Sequence, residues 1–166
     1  ASAITGVVNA VYNQANMVLV VLDNSTTAMT GHQPHPGTGR TVMGEIVQKI
    51  NIEQVLRGIG VTEIETINPL ELEASVSCVK RMAEKSGVRA IIFKAPCIAV
   101  TKPKAPLHVD QDSCISCKKC IRDLGCPAIV MNDGKICIDA SMCTGCHLCS
   151  QVCPVCAIAG GDDKNE

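Results

Sequence analysis

The sequence predicts an α/β domain built on a parallel sheet, followed by a small cysteine-rich α+β domain. Three observations carry this. Apolar runs of strand length at residues 17–22, 61–67 and 88–93 alternate with segments of helical periodicity. A stretch holding Pro103 and Pro106 among lysines then interrupts the pattern. Beyond it, ten of the chain's twelve cysteines fall within 43 residues, from Cys114 to Cys156.

Taken in order, residues 4–12 carry the apolar spacing of a helix through Ile4, Val7, Val8 and Val11. The β-branched run 17–22, bounded by Asp23 and Asn24, reads as a strand buried on both faces, as parallel strands are. A polar loop over 24–41 follows, and loops of that length in compact domains are usually functional. Helical spacing returns over 44–58 through Ile46, Ile50, Ile52, Val55 and Leu56, in two pieces broken near Asn51. Residues 61–67 alternate like a strand. Asn68-Pro69 then predicts a helix start, with a capping side chain and a proline at the first helical position. That helix runs to about Ser86, with Leu72, Val76, Val79, Met82 and Ala83 as its apolar face and Gly87 closing it. Residues 88–93 form another buried strand. Alternating strands and helices predict right-handed parallel crossovers and three layers. The resulting division is residues 1–99, a linker at 100–108, and residues 109–166 ending in a polar tail.

A net charge of −1 gives no electrostatic footprint for nucleic acid or an anionic membrane. The longest apolar run, residues 17–22, is far short of a membrane span. No export signal is visible, and so many closely spaced thiols point to the reducing cytoplasm.

The cysteines repeat a phrase. Cys114-x2-Cys117-x2-Cys120-x5-Cys126-Pro127 is followed by Cys143-x2-Cys146-x2-Cys149-x3-Cys153-Pro154, and each copy closes with an apolar tail. Three thiolates at two-residue gaps wrap one face of a cubane, so the fourth must come from elsewhere. In two-cluster ferredoxins the fourth cysteine ligates the cluster of the other triplet. The spacing thus predicts a bacterial-type ferredoxin domain with two [4Fe–4S] clusters. Cys114, Cys117, Cys120 and Cys153 would hold the first, and Cys143, Cys146, Cys149 and Cys126 the second. Zinc sites more often use C-x2-C pairs completed by another pair or by histidines, and His147 is the only histidine inside this segment. A disulfide scaffold needs oxidising surroundings. Clusters would also stabilise a segment almost free of aromatic residues, the whole chain having only Tyr12 and Phe93. Cys137 and Cys156 lack the triplet context and read as buried thiols. Cys78 reads as helix core, and Cys97, after Pro96, as an ordinary buried thiol near a strand end.

In open parallel sheets, ligands sit beyond the carboxyl ends of the strands. The loop over residues 23–39 occupies that place and offers Asn24 and backbone carbonyls, hard oxygens suited to Mg²⁺. A solvated turn is the competing reading of the same residues. The run Leu22-Asp23-Asn24-Ser25-Thr26-Thr27-Ala28-Met29-Thr30-Gly31-His32-Gln33-Pro34 resembles the second half of the thiamine-diphosphate motif of 2-oxoacid:ferredoxin oxidoreductases. Within that family it is most similar to the thiamine-binding subunits of the indolepyruvate branch, which also end in a two-cluster ferredoxin domain. The resemblance covers essentially all of the chain, including Pro96-Cys97 and the longer gap from Cys120 to Cys126.

The resemblance implies that the first domain is the parallel-sheet C-terminal half of a thiamine-diphosphate-binding domain. Asn24 would bind Mg²⁺ through its side chain and Thr26 through its carbonyl. Met29, Thr30 and Gly31 would lie against thiamine diphosphate and the substrate pocket. His32 and His35 are candidate acid–base groups, with a structural or exposed role as the alternative. The implied activity is oxidative decarboxylation of 2-oxoacids, arylpyruvates such as indolepyruvate, to acyl-coenzyme A and carbon dioxide. Electrons would pass through the two clusters to ferredoxin, and a second subunit of the beta or gamma type would complete the enzyme. The family motif opens with a Gly-Asp pair upstream of Asn24 that this sequence, starting at Ala1, does not contain. The expectation is therefore the C-terminal part of a larger catalytic subunit, inactive alone and completed by an N-terminal part. A non-catalytic electron-transfer module on an α/β docking domain is the alternative, and a docking domain has no need of the Thr30-Gly31-His32-Gln33 phrase.

Overall fold

Three parallel strands in the order β1-β3-β2 frame the first unit: β1 Met17–Asp23, β2 Glu63–Ile67 and β3 Val88–Lys94. This is a computed structural model, and it describes residues 3–160. The polar C-terminal tail lies outside the described residues. The central strand β3 carries Ala90, Ile91 and Ile92 fully buried, as a strand paired on both sides and covered on both faces must. Side chains alternate along it. Ala90 and Ile92 meet Val7 of α1 (Ala3–Tyr12), Leu56 of α2 (Ile52–Ile59) and Val61 on one face. Ile91 meets Cys78 and Met82 of α3 (Leu72–Glu84) on the other. Those are the three layers.

Three elements depart from the sequence-based expectation. β1 is an edge strand rather than one buried on both faces, and Val20 and Leu22 stand 49% and 79% exposed. Its apolar composition is that of a parallel strand, but burial depends on neighbours, and here only β3 pairs with it. The helix expected over 44–58 is confined to Ile52–Ile59. Asn51 caps it, Oδ1 accepting the Gln54 N–H at 3.1 Å. The chain before Asn51 is tied into a hairpin-like turn instead. The Thr41 N–H donates to the Glu45 carbonyl, the Val47 N–H donates to the Gly39 carbonyl, and Arg40 bridges Ile46. Finally, α3 begins at Leu72 and not at Pro69. The Asn68 side chain accepts the Leu70 N–H at 3.1 Å, which closes a turn of its own and delays the helix.

In the second unit, Thr101–Glu166, the two cysteine runs build two similar halves. β4 (Leu107–Val109) pairs antiparallel with β7 (Ile158–Gly160), and β5 (Ile129–Asn132) pairs with β6 (Lys135–Ile138). The short helices α4 (Lys119–Leu124) and α5 (Leu148–Val152) complete an α+β arrangement. Leu107, Ala128, Ile129, Ile136, Val152, Ala157 and Ile158 are buried and form a thin apolar interior drawn from both repeats. Among the described residues no helix is long and apolar enough to cross a membrane.

One buried charge holds the first unit's sheet to α3. Arg89, 4% exposed, donates from Nε to the Met82 carbonyl at 2.9 Å and from Nη1 to the Gly87 carbonyl at 2.6 Å, and also bonds Asn16 Oδ1. The guanidinium thus satisfies carbonyls at the C-terminal end of α3, where a cation is favoured. Arg89→Met keeps the bulk but removes the donors to the Met82 carbonyl and to Asn16, the Gly87 carbonyl keeping the Met17 N–H at 3.1 Å. It is expected to destabilise the first unit by roughly 2–3 kcal/mol, read as a lowered urea midpoint, with Arg89→Lys recovering only part because it lacks the fork.

Candidate functional site

All twelve cysteines are free thiols. Each triplet is built as a tight turn leading into a short helix. Ser116 and Lys118 in the first turn have φ of 51° and 61°, and Gly145 and His147 in the second have 67° and 60°. Left-handed residues set among right-handed ones turn successive backbone N–H groups toward one concave side, a shape that suits an anion. The third cysteines, Cys120 on α4 and Cys149 on α5, are buried.

The last cysteine of each run meets the triplet of the other. Cys114, Cys117, Cys120 and Cys153 line one small cavity, walled by Val109, Ile136 and Ile158. In the second set the thiols that bear electrostatically on Cys149 are Cys146, Cys143 and Cys126. Burial first, and then those neighbours, push the Cys149 thiol up to about 11. Burial likewise raises Cys120, with Cys117 and Cys153 adding to it. Two sulfurs accept backbone N–H groups, Cys143 Sγ from Leu107 at 3.5 Å and Cys153 Sγ from Ala157 at 3.3 Å.

Among the described residues no three His, Cys, Asp or Glu side chains converge tightly enough to hold a single metal ion. Four thiols spread around an apolar space, with N–H groups aimed at sulfur, instead fit a polynuclear iron–sulfur group. Such a group makes thiolates of its ligands and is tuned by hydrogen bonds to sulfur.

The remaining cysteines sort differently from the expectation. Cys78 is fully buried in the helix core. Cys156 is exposed rather than buried, because φ of 52° turns it out of the chain just after Cys153. Cys137 on β6 and Cys97 are half-buried.

A second site lies at the carboxyl ends of β1 and β3. A cleft of about 440 Å³ is lined there by Asp23, Asn24, Pro69, Ser75, Phe93 and Ala95, with Leu22 at its edge. Two hydrogen bonds carry the β1–β3 pairing past the strands: the Ala95 N–H to the Asp23 carbonyl at 3.1 Å, and the Cys97 N–H to the Asn24 carbonyl at 3.0 Å. They fix the backbone of Asn24. Its side chain is exposed, and Oδ1 accepts the Thr26 N–H at 3.2 Å while keeping a second lone pair. Asn24 thus offers a preset hard oxygen of the kind Mg²⁺ prefers, one part of the set such an ion requires.

Of the residues expected around the cofactor, only Asn24 lines the cleft. Thr26 is half-buried beside it. Met29 and Thr30 follow in a single 3₁₀ turn, Ala28–Thr30, capped by Gly31 and held by the Gln33 amide on the Thr30 carbonyl. Met29 is 99% exposed. His35 is committed to its own turn: Nδ1 accepts the Gly37 N–H at 3.1 Å and its carbonyl accepts the Thr38 hydroxyl at 2.8 Å. His32 is exposed, with φ of 64°. Sequence reasoning passed over Pro69, Ser75 and Phe93, whose signal was their position in the turn before α3, in its first turn and at the end of β3.

The family model for the thiamine pyrophosphate enzyme C-terminal TPP-binding domain matches residues 1–93. The chain is 44% identical over 159 residues to the indolepyruvate oxidoreductase subunit IorA of Methanothermobacter thermautotrophicus, covering 95% of this chain and 26% of that protein. It is 39% identical to the IorA of Archaeoglobus fulgidus, covering 92% and 26%, and 40% identical to that of Thermococcus kodakarensis, covering 88% and 24%. The chain therefore spans about a quarter of the length of these curated relatives. No solved structure matches it significantly. With its match over more than half its length, and with Asn24 preset at the carboxyl edge of a parallel sheet, the chain belongs to the thiamine pyrophosphate enzyme family, as its C-terminal TPP-binding domain.

Proposed function

We propose that this chain is the C-terminal part of the thiamine-diphosphate-binding subunit of an indolepyruvate:ferredoxin oxidoreductase. The enzyme oxidatively decarboxylates arylpyruvates to acyl-coenzyme A and carbon dioxide and passes the electrons through two [4Fe–4S] clusters to ferredoxin. The observation that carries this is the meeting of each fourth cysteine with the opposite triplet, in a chain whose first 93 residues match a thiamine pyrophosphate domain. The relatives' names supply the 2-oxoacid class. A remaining N-terminal part and a second subunit complete the enzyme, in keeping with relatives about four times as long. The closely spaced thiols, which must stay reduced, support a cytoplasmic location.

Thiamine diphosphate supplies the carbanion chemistry by which a 2-oxoacid loses carbon dioxide, and the clusters accept electrons singly. The chain's residues hold and tune these groups. Asn24, its backbone fixed by the Cys97 N–H, presents Oδ1 to the Mg²⁺, and the Thr26 carbonyl joins it. The two triplets and their crossed partners ligate iron, Cys114, Cys117, Cys120 and Cys153 the first cluster and Cys143, Cys146, Cys149 and Cys126 the second. Val109, Ile136 and Ile158 exclude water from the first.

Three measurements test this reading. Asn24→Ala is expected to lose at least about tenfold in thiamine diphosphate retained by the purified protein, because an outright metal ligand is removed. Thiamine analysis against the wild type decides it, and equal retention overturns the assignment of Asn24. For the clusters, electron paramagnetic resonance of the reduced protein should group Cys153→Ala with Cys114→Ala, and Cys126→Ala with Cys143→Ala. If Cys153→Ala groups with Cys143→Ala, each run ligates its own cluster. Lastly, chelation of iron under reducing conditions should make residues 101–160 rapidly cleavable by protease while the α/β unit resists, since metal binding and folding are coupled in so small a core.

A further inference from the structure

The two thiol sets are repeats in sequence but not in surroundings. The turn of the first, Cys114-Ile115-Ser116-Cys117, is bare: Ile115 is 62% exposed, and Ser116 and Cys117 are exposed with it. The matching turn of the second, Cys143-Thr144-Gly145-Cys146, lies under the chain that leads into β4. The Lys104 N–H donates to the Thr144 carbonyl at 3.2 Å. Gly145 is buried, and a methyl built on it would stand 2.7 Å from the Ala105 carbonyl oxygen and 2.7 Å from Lys104 Cβ. Three residues on from Lys104, the Leu107 N–H reaches Cys143 Sγ at 3.5 Å.

This contact explains a difference between the repeats that spacing leaves unexplained. Both positions need a left-handed backbone, φ 51° at Ser116 and 67° at Gly145. In the first turn the side chain points into solvent and serine is tolerated. In the second no side chain fits beneath the linker, and only glycine serves.

Resting on the cluster reading above, we propose that residues 104–107 form the outer wall of the second cluster, shielding its ligand loop from solvent and donating to its Cys143 sulfur, while the first cluster stays open at Cys117. The linker residues act as positioning residues for one cluster alone. Hydrogen bonds to sulfur and exposure to solvent both set a cluster's potential and its access to oxidants, so the two clusters are unequal in both.

The test is exposure of the anaerobically purified protein to excess ferricyanide, the surviving clusters being re-reduced with dithionite before each electron paramagnetic resonance spectrum and the two signals assigned through Cys114→Ala and Cys126→Ala. In the wild type the signal of the first cluster should disappear several-fold faster than that of the second. Gly145→Ala pushes the wall off, and Lys104→Pro removes the N–H that fastens it. Either should bring the second cluster's loss to the rate of the first and shift the midpoint potential of the second alone. Ser116→Ala, at the matching position, should change neither. Loss of the second cluster in Gly145→Ala while Lys104→Pro behaves as the wild type overturns the wall, since strain at a left-handed position then accounts for it. Equal lability of both clusters in the wild type overturns the proposal, as does an order of loss that survives both Gly145→Ala and Lys104→Pro. A wild-type protein without iron–sulfur signals overturns the cluster reading itself, and the wall with it.

Discussion

Four thiols gathered in an apolar space cannot all ionise unless a positive group sits among them. The second unit is organised around that constraint twice. Burial, with the neighbouring thiols of Cys146, Cys143 and Cys126 adding to it, lifts Cys149 to about 11, so the arrangement is costly for an anion. In the proposed reading, a cluster whose iron converts the thiols to thiolates would resolve the conflict, and the Leu107 and Ala157 N–H groups already reach two of the sulfurs. Leu107, Ile136 and Ile158 provide a thin buried core, and in the proposed reading ligation would tie the halves together. Because each run lends its last cysteine to the other's triplet, neither half is complete alone.

In the first unit one strand links stability to the site. Ala90 to Ile92 of β3 are the most buried part of the sheet, and the same strand continues through Phe93 and Ala95 into the wall of the cleft. Two further residues along, the Cys97 N–H takes the Asn24 carbonyl. Asn24 is therefore set by the sheet's own hydrogen-bond ladder, extended beyond the strand ends, and not by a flexible loop. The residues after it, Met29 to Gly31, lack that support and stand at the surface in a turn of their own. This is why the cleft contains Asn24 and not the rest of the phrase that surrounds it in the sequence.

What was legible in the sequence follows the range of the forces involved. The cysteine triplets are local, three thiols within seven residues, so their turns could be read from the spacing. The three-layer unit was legible from alternating periodicities, because Val7, Leu56, Met82 and Ile91 each obey the period of their own element. Competing local chemistry hid the rest. Asn68 has the side chain of a helix cap but spends it on the Leu70 N–H, and the apolar residues before Asn51 have helical spacing but are held in a hairpin-like turn. β1 carries the composition of a central strand, and whether such a strand is covered is decided by neighbours that its own sequence does not name. The burial of Gly145 was beyond reach for the same reason, since its cause is the distant Lys104–Ala105 backbone.

The two repeats also differ in length, with five residues between Cys120 and Cys126 where the second run has three between Cys149 and Cys153. A shift of two residues in a helix would swing the following cysteine by about 200° around the axis and spoil the crossing. The structure absorbs it locally. α4 runs one residue longer than α5, and Gly125, with φ of 57°, then turns the chain back through a left-handed cap whose N–H closes on the Ile121 carbonyl. Cys126 is thereby returned to the second triplet despite the insertion. The pseudo-symmetry is kept where ligation demands it, at the crossed cysteines, and abandoned where the linker and the helix length leave freedom. Two sites with the same ligands thus acquire different surroundings, the condition for two like clusters in one small domain to hold electrons at different potentials.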